Sequence, residues 1–313
     1  MYNNRLLKYS AVISVLLTIL LPASCSQTRH KEDNGIDGLT KALKDIIKDK
    51  PGQIGIAVII DNSDTVKVNN SDDYPLMSMF KLQEAVAVCR TLDESMTSID
   101  STICIKRATL DHDTWSPMLA DHTSPEFSLS VKELIDYILI HSDNNASNIL
   151  FDNIVSVAET DSITGLLLPD KEVRLMYTER QMKEKNDLAY ENRCSPLSYA
   201  ILVNKVFTDS VASADKQAVI RQAMLNCNTG LTRLAAPLNG KEGVSFAHRT
   251  GTGYVTPENL IVAINDGGYV RLPSGKGYSI AVFIKDYNGK AEEAESIMAS
   301  ISAAVYDRLS ARL

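Results

Sequence analysis

Strand-like segments lie near the two ends of this chain, and a mainly helical stretch from Ser78 to about Asn228 separates them. The apolar run Ile54 to Ile60 has the length of a buried strand, and Thr65 to Val68 alternates as its hairpin partner would. Further strands are predicted over residues 244–249, 260–264 and 278–285. The segment Asn265-Asp266-Gly267-Gly268 is predicted to form a tight turn between two of them. A single sheet would therefore draw strands from both ends of the chain.

Helical patterns accompany these strands. Residues Ile36 to Lys48 carry an amphipathic apolar period, and residues 291–313 carry a second apolar stripe. In the middle of the chain, Ser130 and Glu133 have the spacing of a capping box that opens a helix from Val131 to His141.

The order of these elements predicts an α+β fold with two lobes. An antiparallel sheet built from both chain ends, with helices packed on it, leaves the middle of the chain as a mostly helical lobe. A functional site is expected between the lobes. Three segments are expected: a leader over residues 1–25, a polar tether over 26–35 and a folded unit over 36–313. Within the folded unit, residues 36–72 and 229–313 are expected to form the α/β lobe and residues 73–228 the helical lobe.

The N-terminus has the pattern of an export signal. Arg5 and Lys8 precede an apolar run from Ser10 to Leu21, and small residues follow up to Cys25. This run is far shorter than the roughly 20 residues that a membrane span needs. Two outcomes stay open: Leu-Pro-Ala-Ser-Cys resembles a bacterial lipoprotein cleavage box, which would give Cys25 a lipid anchor, or the leader is simply removed. We expect an exported protein of the bacterial periplasm.

Charge and composition limit the partners. The chain has 32 Lys+Arg against 39 Asp+Glu, a net charge of −7. Nucleic-acid binding needs clustered positive charge, so no nucleic-acid partner is expected. The histidines lack metal-ligand spacing, so no metal is expected, and a monomer is the default. Four cysteines follow the leader and permit three full pairings, among which the sequence does not choose; for Cys89 a buried free thiol is the commoner state. They are Cys89, Cys104, Cys194 and Cys227.

The segment Ser78-Met-Phe-Lys81 places a hydroxyl and an amine on one face of a helix. A desolvated lysine can act as the base that activates a serine nucleophile. The pattern alone is weak, because Ser-x-x-Lys is expected by chance about once in roughly 300 residues. The chain contains a second copy, Ser213-Ala-Asp-Lys216. A helix cap beside a solvated lysine is the alternative interpretation of Ser78 and Lys81.

Two further polar segments follow. Ser142-Asp143-Asn144 offers a hydroxyl that can pass a proton and an amide that can both donate and accept. Arg249-Thr250-Gly251-Thr252-Gly253 lies on a predicted strand, where a cation, two hydroxyls and two glycines suit the close approach of a ligand carboxylate. Taken singly, the first is also typical of a polar turn at a helix end and the second of a strand with a bulge.

In this order and at these separations, the three segments resemble the motifs of class A β-lactamases and penicillin-binding proteins. The resemblance covers nearly all of the mature chain. It implies the serine β-lactamase/D,D-peptidase-like form of the α+β fold and an active site that needs neither a metal nor an organic cofactor.

A fourth segment favours the class A branch. Tyr177-Thr-Glu179-Arg-Gln-Met begins a stretch that resembles the class A omega loop, with Glu179 at the position of the water-activating glutamate. The stretch ends at Tyr190 to Pro196 in a pattern that resembles the cephalosporinase branch. A solvated loop glutamate is the alternative.

Two positions depart from the family pattern. Arg249 stands where the family usually has lysine; arginine keeps the charge but cannot release a proton, which puts proton exchange with Ser142 in doubt. Lys183 stands where an asparagine usually helps to hold the hydrolytic water. By contrast, Asn148 matches an asparagine that fixes the glutamate side chain. Trp115 matches an aromatic residue at the site entrance, with core packing as its alternative.

The resemblance implies two-step hydrolysis of the β-lactam amide of cephalosporins and penicillins, which would confer β-lactam resistance. Ser78 would attack the carbonyl while Lys81 or Glu179 takes its proton, Ser142 would protonate the lactam nitrogen, and Glu179 would activate the water that releases the acyl group. The residues implied to bind substrate are Trp115, Asn144, Arg249, Thr250, Gly251 and Thr252.

Two other functions stay open. A D-alanyl-D-alanine carboxypeptidase would share the first three motifs but lack a working Glu179. A β-lactam sensor or binding protein would acylate and stay acylated, and Lys183 keeps such slow deacylation open.

Overall fold

The computed structural model describes residues 35–170 and 172–313. The expected leader and residues 26–34 of the expected tether lie outside this range. In chain order the strands are β1 (Gln53–Ile60), β2 (Asp64–Val68), β3 (Tyr74–Pro75), β4 (Thr102–Lys106), β5 (Glu126–Ser130), β6 (Val173–Arg174), β7 (Arg193–Cys194), β8 (Ser245–Thr252), β9 (Ile261–Arg271) and β10 (Gly277–Tyr287). The α-helices are α1 (Ile36–Ile47), α2 (Lys81–Glu94), α3 (Pro117–Asp121), α4 (Val131–Asp136), α5 (Asn144–Asn153), α6 (Val157–Leu167), α7 (Glu179–Glu184), α8 (Pro196–Thr208), α9 (Ala214–Leu225) and α10 (Ala291–Ser310).

Strands from both chain ends form one antiparallel sheet in the order β2-β1-β10-β9-β8, which confirms the predicted α+β architecture. The N-terminal and C-terminal segments pair directly, with Ala57 of β1 opposite Ala281 of β10. Nearly all of β1 is buried because both faces of the sheet are covered. This explains why Ile54 to Ile60 is continuously apolar instead of alternating.

Each face of the sheet packs against its own layer of helices. On one face, Leu43 of α1 and Ile301 of α10 share a core with Ile56 of β1. On the other face, the Tyr199 ring of α8 lies edge-on to Phe283 of β10, with 5.6 Å between ring centroids. That second core continues into the helices of the middle segment, so it joins the sheet to the helical lobe.

The buried helix α2 forms the centre of the helical lobe. All of its residues from Lys81 to Cys89 are buried. Over this first part of the helix, polar groups lie inside the protein at Lys81, Gln83 and Glu84, and the other side chains are apolar or a thiol. Such groups require partners, and those of Lys81 are described below.

The predicted helix from Val131 to His141 is present but changes character along its length. Its capping box is confirmed: Ser130 Oγ accepts from the Glu133 N–H at 3.2 Å, and Glu133 Oε2 accepts from the Ser130 N–H at 2.7 Å. After Asp136 the chain continues as a π-helix over Tyr137–His141. This wider turn leads directly into Ser142.

The predicted turn at Asn265–Gly268 is wrong, because these residues lie inside β9. The glycines serve a close approach between strands: a Cβ added to Gly268 would lie 2.1 Å from the carbonyl oxygen of Ala247 in β8. The chain reverses instead over residues 272–276, where the Leu272 N–H donates to the Lys276 carbonyl and Gly275 has a φ of +85°.

Within the described part of the chain, no helix has the length and apolar character needed to cross a membrane.

Replacing Gly268 with alanine tests the close approach of β8 and β9. We expect Gly268→Ala to lower the free energy of unfolding by about 2–3 kcal/mol, because the new methyl group would overlap the β8 backbone. Chemical denaturation measures this loss. Gly240→Ala is the control: Gly240 has a φ of +77° and no atom within 4 Å of an added Cβ, so it should cost only about 1 kcal/mol of backbone strain. Equal losses in the two variants would contradict the steric explanation.

Candidate active site

A cleft of about 500 Å³ lies where β8 faces the helical lobe. Seven of the site residues predicted from the sequence line it: Ser78, Trp115, Ser142, Asn144, Glu179, Thr250 and Thr252. Two more, Lys81 and Arg249, are fully buried. The structure therefore brings the separate sequence motifs together in one place.

A tight backbone turn presents Ser78 at the start of α2. Ser78 lies in a 3-10 helix over Met77–Phe80. Met77 has a φ of +48°, which is uncommon for a residue of its size and is typical of a strained functional site. The β8 strand passes close to this turn at Gly251, where an added Cβ would lie 2.5 Å from the Leu76 carbonyl oxygen. Gly251 therefore allows β8 to approach the turn that carries Ser78.

Lys81 lies at the centre of a polar network. Its Nζ lies 3.3 Å from Ser78 Oγ and 2.9 Å from Glu179 Oε1. It also donates to Asn144 Oδ1 at 2.6 Å and to the Ser142 carbonyl oxygen at 2.9 Å. Burial lowers the pKa of Lys81, although the negative charge of Glu179 partly opposes this shift. Lys81 is 0% exposed, so the alternative of a solvated lysine is wrong.

Glu179 contacts Ser78 directly. It begins α7, whose capping box is formed by Thr178 and Gln181. Ser78 Oγ donates to Glu179 Oε1 at 3.0 Å. The Glu179 side chain is only 12% exposed, so the alternative of a solvated loop glutamate is also wrong.

The contact of Asn148 differs from the expected one. Asn148 Oδ1 accepts from the backbone N–H of Arg180 at 3.2 Å. In this structure Asn148 thus holds the backbone next to Glu179, whereas the resemblance implied a bond to the glutamate side chain.

The Ser142-Asp143-Asn144 segment is held by its middle residue. The buried Asp143 carboxylate caps α5 by accepting from the Ala146 N–H at 2.9 Å, and it accepts from the Met118 N–H at 2.8 Å. Ser142 has a left-handed φ of +65°. The Asn144 amide donates to Thr114 Oγ1 at 3.0 Å while its oxygen faces Lys81.

The β8 edge of the cleft carries the cation and the hydroxyls. Arg249 Nη2 donates to Ser142 Oγ at 2.5 Å. Thr250 Oγ1 lies 2.6 Å from Thr229 Oγ1, and Thr252 Oγ1 accepts from Arg233 Nη2 at 2.7 Å. Hydrogen bonds therefore join this edge to the segment around residues 229–233.

Two residues singled out from the sequence, Trp115 and Lys183, lie at the rim of the cleft. Trp115 is 62% exposed, and its Nε1 donates to the His141 carbonyl oxygen at 2.8 Å, so core packing is the wrong interpretation. The amine of Lys183 pairs with the Asp111 carboxylate at 2.7 Å. This ion pair joins α7 to the loop that precedes Trp115.

Sequence reasoning missed four residues that shape the site: Asp143 as an anchor, and Thr229, Arg233 and Tyr254. Asp143 could have been found from its N-cap position before α5. Thr229 and Arg233 reach the site only through the fold and carry no local signal. Tyr254 directly follows the predicted strand motif and lines the cleft.

Cysteine and metal chemistry complete the description. Cys89, Cys104, Cys194 and Cys227 are all free thiols, and Cys89 is buried as expected. Among residues 35–170 and 172–313, no group of three or more His, Cys, Asp or Glu side chains is arranged to hold a metal ion.

Removing the Asp143 carboxylate tests its anchoring role. We expect Asp143→Ala to lower the free energy of unfolding by about 3 kcal/mol, because it leaves buried N–H donors without an acceptor. Thermal or chemical denaturation measures the loss. Asp113→Ala is the control, since that side chain is fully exposed at the cleft rim and should change stability by less than about 0.5 kcal/mol. A small effect in both variants would show that Asp143 does not anchor the segment.

Comparison with known proteins agrees with this geometry. The family model described as "Beta-lactamase enzyme family" matches residues 38–309 of the chain. A β-lactamase of Phocaeicola vulgatus is 45% identical over 271 residues, which cover 87% of this chain and 84% of that protein. The extended-spectrum β-lactamase PER-1 of Pseudomonas aeruginosa is 29% identical over 270 residues, which cover 86% of each protein.

Solved structures give the same result. The TLA-3 extended-spectrum β-lactamase superposes with a TM-score of 0.84 at 29% identity, covering 88% of this chain and 100% of that chain. A class A β-lactamase from Bacteroides cellulosilyticus superposes with a TM-score of 0.82 at 29% identity, covering 87% of this chain and 97% of that chain. Sequence, fold and site geometry thus agree that the chain belongs to the β-lactamase enzyme family, as a class A serine β-lactamase.

Proposed function

We propose that this enzyme hydrolyses the lactam amide of cephalosporins and penicillins through an acyl-enzyme on Ser78, and that it thereby confers resistance to these antibiotics. One observation carries the proposal: Ser78 Oγ lies in an open cleft within hydrogen-bond distance of both Glu179 Oε1, at 3.0 Å, and Lys81 Nζ, at 3.3 Å. A hydroxyl with two such neighbours is an activated nucleophile.

In the acylation step, Ser78 Oγ bonds to the lactam carbonyl carbon and the carbon–nitrogen bond breaks. The hydroxyl proton passes to Glu179 or to neutral Lys81, both of which touch Oγ. Ser142 gives its proton to the departing nitrogen. Because the Arg249 guanidinium cannot release a proton, Lys81, whose Nζ is 3.5 Å from Ser142 Oγ, is the group that resupplies it.

The developing negative charge on the carbonyl oxygen needs donors in place. We assign this oxyanion hole to the backbone N–H groups of Ser78 and Thr252. A donor of this kind typically contributes about 10²–10³ in rate. Thr252 is held for this role by its bond from Arg233.

Substrate binding uses the β8 edge. Arg249 supplies positive charge and Thr250 and Thr252 supply hydroxyls for the substrate carboxylate, while Asn144 and Trp115 border the opposite side of the cleft. Cephalosporins are included because the segment Tyr190–Pro196 resembles the cephalosporinase branch. The similarity to PER-1 and TLA-3, both named extended-spectrum β-lactamases, supports the same substrate range.

Release of the acyl group requires ionised Glu179, so a proton that Glu179 took up during acylation first passes to Lys81, which has given its own to Ser142. Glu179 then removes a proton from water as the water oxygen bonds to the ester carbon. The bond from that carbon to Ser78 Oγ breaks, and Oγ takes the proton from Glu179.

Glu179 is fixed from two sides, by Lys81 Nζ at 2.9 Å and by the Asn148 bond to the neighbouring backbone. Lys183, which replaces the usual asparagine, is engaged with Asp111. We therefore propose that Glu179 and Ser78 hold the hydrolytic water without help from position 183.

We further propose that the enzyme is exported to the periplasm and acts there as a monomer. The leader pattern over residues 1–25 supports export. Intact mass of the protein recovered from membranes distinguishes a lipid on Cys25 from a processed free N-terminus, and Cys25→Ser should abolish only the lipidated form.

The mechanism is tested by mixing the purified protein with a chromogenic cephalosporin and recording turnover and intact mass together. The wild type should complete many turnovers. Ser78→Ala should lose hydrolysis and form no adduct, whereas Glu179→Gln should accumulate a covalent adduct because deacylation has lost its base.

Each alternative function has its own outcome in that experiment. A stable adduct on the wild type would favour the sensor or binding protein. Cleavage of a D-alanyl-D-alanine peptide without β-lactam turnover would favour the carboxypeptidase. Hydrolysis that survives Ser78→Ala would contradict the nucleophile assignment.

Arg249 variants test carboxylate binding. We expect Arg249→Ala to lower kcat/KM by about 10- to 100-fold, mainly through KM, because a charge-assisted hydrogen bond of about 1.5–3 kcal/mol is lost. Arg249→Lys should stay within a few-fold of the wild type, since the family usually has lysine there. Equal activity of Arg249→Ala and the wild type would exclude a binding role.

A further inference from the structure

Arg249 is a buried cation that lacks a carboxylate partner. It is 0% exposed, and within the described residues no Asp or Glu oxygen lies within 4.0 Å of its guanidinium. Its Nη2 and Nη1 reach only hydroxyls, of Ser142 at 2.5 Å and of Thr229 at 3.5 Å. Its buried Nε has no hydrogen-bond partner. Burying a charge in this way is costly unless a counter-charge lies nearby.

The sulfur of Cys227 lies beside this guanidinium. Cys227 is 6% exposed, and its Sγ lies 3.3 Å from Thr229 Oγ1, the hydroxyl that Arg249 Nη1 reaches at 3.5 Å. Burial raises the pKa of the Cys227 thiol, whereas the positive charges of His248 and Arg249 both lower it. The buried sulfur therefore has a hydroxyl and two cationic groups as neighbours.

The His248 ring is held in a fixed orientation by the Asp266 carboxylate. Its Nδ1 lies 2.9 Å from Asp266 Oδ1, and both residues are almost completely buried. The other carboxylate oxygen of Asp266 accepts from the Leu234 N–H at 3.1 Å. Hydrogen bonds thus pair Asp266 with His248 and connect Cys227 through Thr229 to Arg249, which donates to Ser142 at the cleft.

We propose that Cys227 is present as a thiolate and acts as the counter-ion that positions Arg249, with His248 and Asp266 holding the sulfur in place. The charges then balance, since the buried cations Arg249 and His248 are matched by the buried anions Cys227 and Asp266. A neutral thiol would leave one buried positive charge uncompensated. Cys227 is accordingly a positioning residue, because it acts on the substrate through Arg249. The role rests on the proposed function in one respect, the placement of Arg249 in the binding site.

Charged and titratable groups approach Cys227 from several elements, and the cationic ones favour the thiolate. They are His248 and Arg249 on β8, Asp266 on β9, Tyr199 on α8 and, on the far side of Arg249, Glu179 on α7. Burial alone would raise the pKa of Cys227, but His248, Arg249 and the Thr229 hydroxyl together lower it to about 7. Burial would lower the pKa of His248, but the charges of Asp266 and Cys227 raise it to about 10.

The pH dependence follows from these directions. Above about pH 7 the sulfur is ionised and Arg249 has its counter-ion. As the pH falls through this value, the sulfur gains a proton and the site acquires an uncompensated buried charge. We expect the activity to lose the contribution of Cys227 on the acidic side.

A spectroscopic titration of the intact wild-type protein tests the ionisation directly. With cysteines labelled at Cβ with ¹³C, the chemical shift distinguishes a thiol from a thiolate across about pH 5 to 9. One resonance should titrate near pH 7 and be identified by its loss in Cys227→Ser. The exposed Cys104 and the leader residue Cys25 are identified by their own serine variants. Buried Cys89, whose pKa burial raises to about 12, should not titrate. If no resonance titrates below about pH 8.5, which is the ordinary cysteine value, the proposal is overturned.

Activity variants test the positioning role. At neutral pH we expect Cys227→Ser to lower kcat/KM by about tenfold or more, because serine cannot supply the anion. Cys227→Asp should recover most of this loss and keep its activity at lower pH than the wild type. The buried control Cys89→Ser removes a thiol without removing a charge and should keep the wild-type pH profile.

The outcomes separate this proposal from the catalytic one. If Cys227→Ser keeps the wild-type rate and pH profile while Ser78→Ala is inactive, the positioning role is excluded and the acyl-enzyme mechanism stands. If Cys227→Ser and Cys227→Asp lose activity equally, the anion is not what matters and the proposal again fails. Hydrolysis that survives Ser78→Ala would contradict the proposed function alone, since the NMR titration still reports the state of Cys227.

Discussion

The site depends on the burial of one lysine amine. Lys81 has no access to solvent, and an ammonium group taken out of water costs several kcal/mol unless other groups replace its hydration. The replacements come from two separate parts of the chain: the Ser142–Asn144 segment, with the carbonyl and hydroxyl of Ser142 and the amide oxygen of Asn144, and the carboxylate of Glu179. Satisfying this one group therefore fixes the positions of Ser142, Asn144 and Glu179 relative to Ser78, which lies 3.3 Å from the same amine.

The second Ser-x-x-Lys segment has the same spacing as Ser78 and Lys81 but a different environment. Lys216 Nζ lies 3.4 Å from Ser213 Oγ, almost the same distance as between Lys81 and Ser78. Its amine also pairs with Asp93 at 2.8 Å, and the hydrogen bond to that carboxylate raises the pKa of Lys216. An amine that holds its proton more tightly is a poor base. Burial instead lowers the pKa of Lys81.

Local patterns predicted much of this protein because their causes are local. Apolar runs marked the strands of a sheet built from both chain ends, and the Ser130 capping box marked the start of α4. The failures have non-local causes. The glycines of Asn265–Gly268 suggest a turn, yet Gly268 is needed where β9 passes close to β8, and Gly267 lies against the Tyr199 ring and β10. Arg233 and Cys227 reach the site only after the fold is formed, so the sequence around them does not predict their position near it.

The proposed hydrolysis requires acyl transfer on the serine beside Lys81 and Glu179. Rapid quenching of the wild-type enzyme during penicillin turnover, followed by peptide mass mapping of the covalent adduct, tests this step. We expect an adduct on the peptide that contains Ser78, which forms and decays within the turnover time. An adduct on the Ser213 peptide, or continued hydrolysis with no covalent species at any time point, would contradict it.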